Sequence, residues 1–286
     1  MLKSISRFAV IFFLLLSPLA SAQTAEEQKV WQDFVTACQS DKSGVNPDRY
    51  RQSLIQGGMT AAQADERMNL IHKLFESYPA FHQQIQEVGF NHLYLDPNQT
   101  RFTTDPSAFL VAMTKGLKPG KALDVAMGQG RNVLYLASKG WDVTGFDIAD
   151  EGLKAAQASA ARAGLTIKTV KAGWDDFDFG HGQWDLICFI YTDAPVMDPN
   201  FIARVREGLK TGGLLLMDRP YRSLDHPEAN WPDTDADKAN AWLKTWSDLQ
   251  IVYYEDITGV GDWQQTGVPR QEYRELRLVH MLARKR

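Results

Sequence analysis

Cysteine is scarce in this chain, with two among 286 residues, Cys38 and Cys188. So few exclude a disulfide-dense scaffold. An oxidising compartment permits a Cys38–Cys188 bridge, but nothing in the sequence positions the pair. Cys188 lies inside WDLICFIY, an apolar run that reads as a buried strand, where a thiol serves as a small hydrophobe. Basic excess is also absent. The formal net charge is −4 and no basic stripe runs through the chain, which removes the footprint expected of a nucleic-acid binder. The closing Arg284, Lys285 and Arg286 read as a solvated tail. Low-complexity tracts are missing, and 44% hydrophobic with 23% charged residues is an ordinary globular composition, enough for one sizeable core and a small extra domain. No apolar run reaches the roughly 20 residues of a comfortable membrane span. His72, His82 and His92 are too scattered to form a metal site.

The longest apolar run, Phe8 to Leu16, has a different use. Lys3 and Arg7 precede it, and Ala20-Ser21-Ala22 follows it as a small-residue cleavage pattern. Residues 1–22 are therefore expected to be a secretory signal peptide cut after Ala22, giving a periplasmic or secreted protein with no stable membrane span after cleavage. Neither a twin-arginine pair nor a lipobox cysteine is present, so export in the unfolded state is the default. The alternative is an uncleaved leader that anchors the protein at the membrane.

Residues 23–100 are expected to form a helical N-terminal region, a lid or packing module. AEEQKVWQDFVTAC, DRYRQSLIQ and TAAQADERMNLIHKLFESY place apolar residues at three- and four-residue spacing. Asn46-Pro47 suits the start of the second helix and Thr60 the cap of the third. From Lys121 strand and helix patterns alternate: KALDVAM, NVLYLASKG, WDVTGFDI, EGLKAAQASAARAG, LTIKTVKAG, WDLICFIYT, NFIARVREGLK, GGLLLMDRP. One more helix, ANAWLKTWSDL, leads into two final strands without a helix between them. Residues 101–286 are thus expected to be an α/β domain with a mostly parallel sheet covered on both faces and an antiparallel edge hairpin.

ALDVAMGQGRN ends the first strand, and ligands of such sheets gather at the strands' carboxyl ends. Glycines there bring the backbone close to a ligand and aim the next helix's amides at it. Asp124 leads the turn, Asp147 ends the second strand where a carboxylate can accept from ribose hydroxyls, and Trp174-Asp175-Asp176 follows the third strand. Each acid also has a plain reading as a helix cap or a solvated turn; together they describe a pocket for an adenosine with a charged amino-acid tail. A dinucleotide fingerprint needs a third glycine. Val133 stands there, which disfavours a nucleotide-dependent oxidoreductase.

The run ALDVAMGQGRNVLYLASKGWDVTGFDIADEGL resembles the cofactor-binding core of class I S-adenosylmethionine-dependent methyltransferases, closest to the tellurite-resistance branch. LKTGGLLLMDRP and the closing LRLVHMLARKR extend the likeness over roughly residues 100–286. The resemblance implies a Rossmann-like, seven-stranded sheet and S-adenosyl-L-methionine as cofactor. It implies that Asp124 and the backbone of Ala126, Met127, Gly128 and Gly130, with Arg131 and Asn132 opening the next helix, hold the methionine part. Asp147 would bind the ribose, Ile148 would flank the adenine, and Trp174 and Asp175 would close over it. Tyr191 would face the methyl group and a small-molecule acceptor. Two departures stand out: Ala126 replaces the family's usual first glycine, and Gly173 replaces the acid that contacts adenine in many relatives. Asp193, Arg219, Tyr221, Arg270 and Arg274 are further acceptor-side candidates, and Trp231, Trp242, Trp246 and Trp263 candidates for an apolar cavity, with helix packing the cheaper reading of Trp242 and Trp246. The family's substrate-side histidine and arginine in the final hairpin have no clear counterpart in GVGDWQQTGVPRQEY, so the resemblance does not secure tellurite-type anion chemistry. The expected reaction is in-line displacement by positioning, without a metal or a covalent intermediate. The alternative is an exported binding protein of the same fold without turnover.

Overall fold

A computed structural model describes residues 23–42, 44–95, 102–221, 243–262 and 275–286. The leader lies outside these residues.

Four helices come first, each started by a local signal. Thr24 and Glu27 form a reciprocal capping box ahead of α1 (Ala25–Ser40). Asn46 accepts from the Arg49 amide and Pro47 fills the first position of α2 (Pro47–Gln56). Thr60 and Gln63 box the start of α3 (Ala61–Ser77). A further helix, α4 (Pro79–Leu95), runs beyond the three segments read from periodicity. Its weaker amphipathic pattern has a reason that emerges at the site: it faces polar neighbours on one side. The apolar stripes meet in one core, where Trp31 stacks on Phe81 at 4.1 Å beside Phe34, Tyr50 and Leu74. Every residue of that core comes from α1–α4 and their connections.

A short α5 (Ala108–Thr114), capped by Ser107, precedes the sheet. The strands are β1 (Lys121–Val125), β2 (Asp142–Asp147), β3 (Lys168–Lys171), β4 (Trp184–Ile190), β5 (Leu209–Tyr221), β6 (Gln250–Val260) and β7 (Glu275–Arg284). They stand in the order β3-β2-β1-β4-β5-β7-β6, a seven-stranded sheet. The first five are parallel, and β7 runs antiparallel to both β5 and β6. Helices α6 (Arg131–Ser138), α7 (Asp150–Arg162) and α8 (Pro199–Gly208) cross over between the parallel strands. Alternate residues of the central strands feed two cores, one per face: Leu123, Ile187 and Leu215 on one, Ala122, Leu186 and Leu214 on the other. Strand order reverses between β1 and β4, which places a crevice at their carboxyl ends.

β3 is shorter than the sequence pattern suggests, because it pairs only with β2 at the sheet's edge. Of the helix expected over ANAWLKTWSDL, the described part is one turn at residues 243–245. Trp246 is fully buried in the core with the Arg206 guanidinium 5.2 Å above its ring, a packing role. Cys38 and Cys188 are both free and buried, the first in the helical core and the second in β4, so no bridge joins them.

Candidate functional site

The turn between β1 and α6 is built from unusual backbone. Ala126, Gly128 and Gly130 all have positive φ, at 56°, 53° and 84°. Gly130 is the N-cap of α6, and a Cβ on it would stand 2.7 Å from that of Ala156 in α7. Only glycine lets these two helices approach so closely. Met127 donates its amide to Phe146 across the sheet and packs its side chain into the space left by Gly145. Ala126 is the exception, a side chain held in a conformation that L-residues avoid.

Two buried carboxylates flank this turn. Asp147, at the end of β2, accepts from the Gly128 amide through Oδ2 at 2.8 Å and from Ala149 through Oδ1 at 2.8 Å. It thus closes a local turn onto Ala149 without capping α7, and it also ties the glycine turn to the second strand. Burial raises its pKa above the usual carboxylate value, opposed by the backbone N–H donors of Ala149, Gly128 and Ile148. Asp124 is 1% exposed, and its Oδ2 has no hydrogen-bond partner. Burial pushes its pKa from 3.8 up to about 7, with Arg131 opposing and Asp147 adding to the rise. A buried, unpartnered carboxylate oxygen is costly unless something cationic meets it. An orphaned acid beside a positive-φ glycine turn fits an amino-acid ammonium group, the feature expected of the S-adenosylmethionine tail.

On the far side of the crevice stands Tyr191, just past β4. It also has positive φ, 51°, and its hydroxyl accepts from the Asp262 amide at 3.3 Å. Burial, with the carboxylates of Asp218 and Asp262, pushes its phenol far above the usual tyrosine range, so it stays protonated. Arg131 lies 5.4 Å over the ring, donating to the carbonyls of Asp105 and Asp262 and pairing with the Asp262 carboxylate at 3.2 Å. Its side chain thus binds protein groups, and the turn's contribution at this position is its backbone. Asn132 likewise spends its Oδ1 on the Ser107 amide at 3.0 Å.

The remaining residues named from sequence are scattered in quality. Ile148 sits directly after Asp147, half-buried. Trp174 is half-buried against the core, Asp175 is exposed, and Asp176 accepts from Gln83 at 3.1 Å. Gly173 is buried, and the Gln83 amide of α4 fills the place its side chain would take. Arg219 donates to the Ala194 carbonyl at 3.2 Å, and Asp193 is exposed. Arg270, Arg274, Trp231, Trp242, Trp263 and the side chain of Tyr221 lie outside the described residues.

Sequence reasoning passed over two groups. The first is a polar row across three strands: Ser107 donates to Asp218 at 2.7 Å, His280 stands 3.3 Å from Asp218, and its Nδ1 is 2.6 Å from Glu255. Phe109 stacks on the imidazole at 4.7 Å. The final hairpin therefore does carry a histidine, read from sequence as part of the apolar LRLVHMLARK. The second is a stripe of α4, Gln83, Glu87, Asn91 and Tyr94, whose regular spacing was the available signal.

Residues 122–213 match the family model of a methyltransferase domain. Hemagglutinin 1 of Eikenella corrodens is 28% identical over 190 residues, covering 64% of this chain and 60% of its own length. TehB of Haemophilus influenzae, named a probable S-adenosyl-L-methionine-dependent methyltransferase, is 25% identical over 190 residues, covering 64% of each chain. The chain spans less than two thirds of the length of these two relatives. The crystal structure of TehB shares the fold, with a TM-score of 0.52 at 20% identity over 70% of this chain and 68% of that one.

Proposed function

We infer, from a chain whose core belongs to the class I S-adenosylmethionine-dependent methyltransferases, that this protein binds S-adenosylmethionine and transfers its methyl group to a small-molecule acceptor. The observation that carries the reading is Asp124, a buried carboxylate with an unpartnered oxygen beside the glycine turn. Asp124 and the backbone of residues 126–130 would hold the amino-acid tail, and Asp147 the ribose. When bound, the sulfonium supplies an activated methyl group.

The chain's own part is positional. Tyr191, kept protonated by burial and two nearby acids, is a poor base. It serves as a wall and hydrogen-bond donor that orients the acceptor, which is the main requirement of a direct displacement. Arg131 and Asp262 hold that wall in place.

Calorimetry with S-adenosylmethionine, S-adenosylhomocysteine and NAD tests the reading. Saturable binding of both sulfur nucleosides, abolished by Asp124→Asn, is expected; binding of NAD alone would sink it. A second reading, an exported binding protein without turnover, is favoured by Ala126, Gly173 and the leader. Binding without methyl transfer across a broad acceptor panel would select it. Export to the periplasm or beyond rests on residues 1–22, and fractionation with N-terminal sequencing should find a mature chain starting at Gln23.

A further inference from the structure

One stripe of α4 crosses the carboxyl ends of all three strands that the cofactor would touch. Gln83 lies at Gly173 after β3 and donates to Asp176 at 3.1 Å. Glu87 pairs at 2.7 Å with Lys171, the last residue of β3, whose ammonium also reaches Asp150 at 2.6 Å. Asn91 accepts from the Glu151 amide at 2.9 Å, in the first turn of α7, where the N-cap residue Ala149 has no side-chain acceptor of its own. Tyr94 completes the stripe. Its hydroxyl stands 2.5 Å from where a Gly128 Cβ would be, and its ring edge 2.9 Å from that of Gly152. The side-chain-free faces of Gly128, Gly152 and Gly173 are thus occupied from α4, a helix outside the matched domain.

The attachment differs in kind from the packing on either side of it. The core of α1–α4 shares no residue with the two cores of the sheet. The link across α4 is made of amides, the ring and phenol of Tyr94 against Gly128, Gly152 and Phe102, and an ion pair on a lysine whose side chain is 45% exposed. Such pairs contribute about 0–1 kcal/mol, and polar interfaces of this kind permit relative motion.

We propose that α4 is the outer wall of the cofactor groove, closing over bound S-adenosylmethionine and lifting to exchange it, with Tyr94 and Gln83 as positioning residues at its two ends. The proposal rests on the cofactor reading above. Tyr94 lies at the turn that would hold the amino-acid tail, and Gln83 at the turn that would flank the base. A glutamine amide offers both a donor and an acceptor to a purine edge.

Stopped-flow binding of S-adenosylmethionine and S-adenosylhomocysteine to the full chain tests it. Lys171→Met frees the clamp without touching the groove; association and dissociation rates should both rise about fivefold, with melting temperature unchanged. Tyr94→Phe should speed dissociation more than association. Hydrogen exchange at residues 91–95 should slow when S-adenosylhomocysteine binds. Wild-type rates in Lys171→Met and Tyr94→Phe, with exchange in α4 unchanged by ligand, would overturn the lid while leaving the cofactor reading intact. A wild-type chain that binds neither nucleoside would end both.

Discussion

Ala126 holds a left-handed conformation, φ 56°, that costs a residue with a Cβ about 1–2 kcal/mol. Glycine's greater freedom in the unfolded chain takes back part of that gain. Ala126→Gly should therefore stabilise the protein by about 0.5–1 kcal/mol in urea denaturation, with cofactor affinity kept or tightened. A large loss of affinity would mean that the turn works by its side chain. Asp124 gives a pH signature. Its folded pKa, about 7, lies above the ordinary 3.8, so the folded state holds a proton that the unfolded state has released. Its contribution to the ligand-free fold is unfavourable and grows as pH rises from about 4 to 7, then levels off. Asp124→Asn should thus raise the ligand-free melting temperature more at pH 8 than at pH 5, while removing cofactor binding. In the wild type, affinity should fall about tenfold per unit below pH 7 as Asp124 protonates. It should fall again above about pH 8, where an α-amino group loses its charge.

Among the elements, the hairpin β6–β7 is joined to the parallel sheet by ladder bonds and by the row Asp218–His280–Glu255. Burial would lower the imidazole's pKa, but two carboxylates facing it raise it. The stabilisation is fully present below the ordinary histidine value of 6.5 and is lost as pH climbs through the raised folded value. Amide exchange in β6 and β7 should accelerate above that point relative to β1 and β4, and His280→Gln should flatten the difference. This row was invisible to pattern reading, since Asp218, His280 and Glu255 come from three strands and meet only through antiparallel register. Helix α4 was hidden for a related reason: the side that faces the sheet's carboxyl end is polar, so its apolar periodicity is weak.

At the scale of the molecule, ligand should act as a clamp between two separately cored parts. S-adenosylhomocysteine at a hundred times its Kd should add about 2.7 kcal/mol to stability, seen as a rise in melting temperature that NAD does not produce. An equal shift with NAD, or none with the sulfur nucleoside, would contradict the cofactor assignment. Both cysteines are buried, so reducing agent should leave the transition unchanged.

Local patterns were enough to place the strands of the sheet, its antiparallel edge, the glycine turn with its two acids, and the caps of α2 and α3. Each is encoded within a few residues of itself: period-two alternation, a glycine where φ is positive, an asparagine or threonine three residues before the amide it caps. What folding alone decided is which distant groups meet. The orphaned oxygen of Asp124, the phenol of Tyr191 held protonated, the row through His280 and the stripe of α4 over three glycines all depend on burial and on contacts between segments far apart in the chain. Burial sets the price of a charge, and only the packed structure determines which charges are buried and which groups reach them.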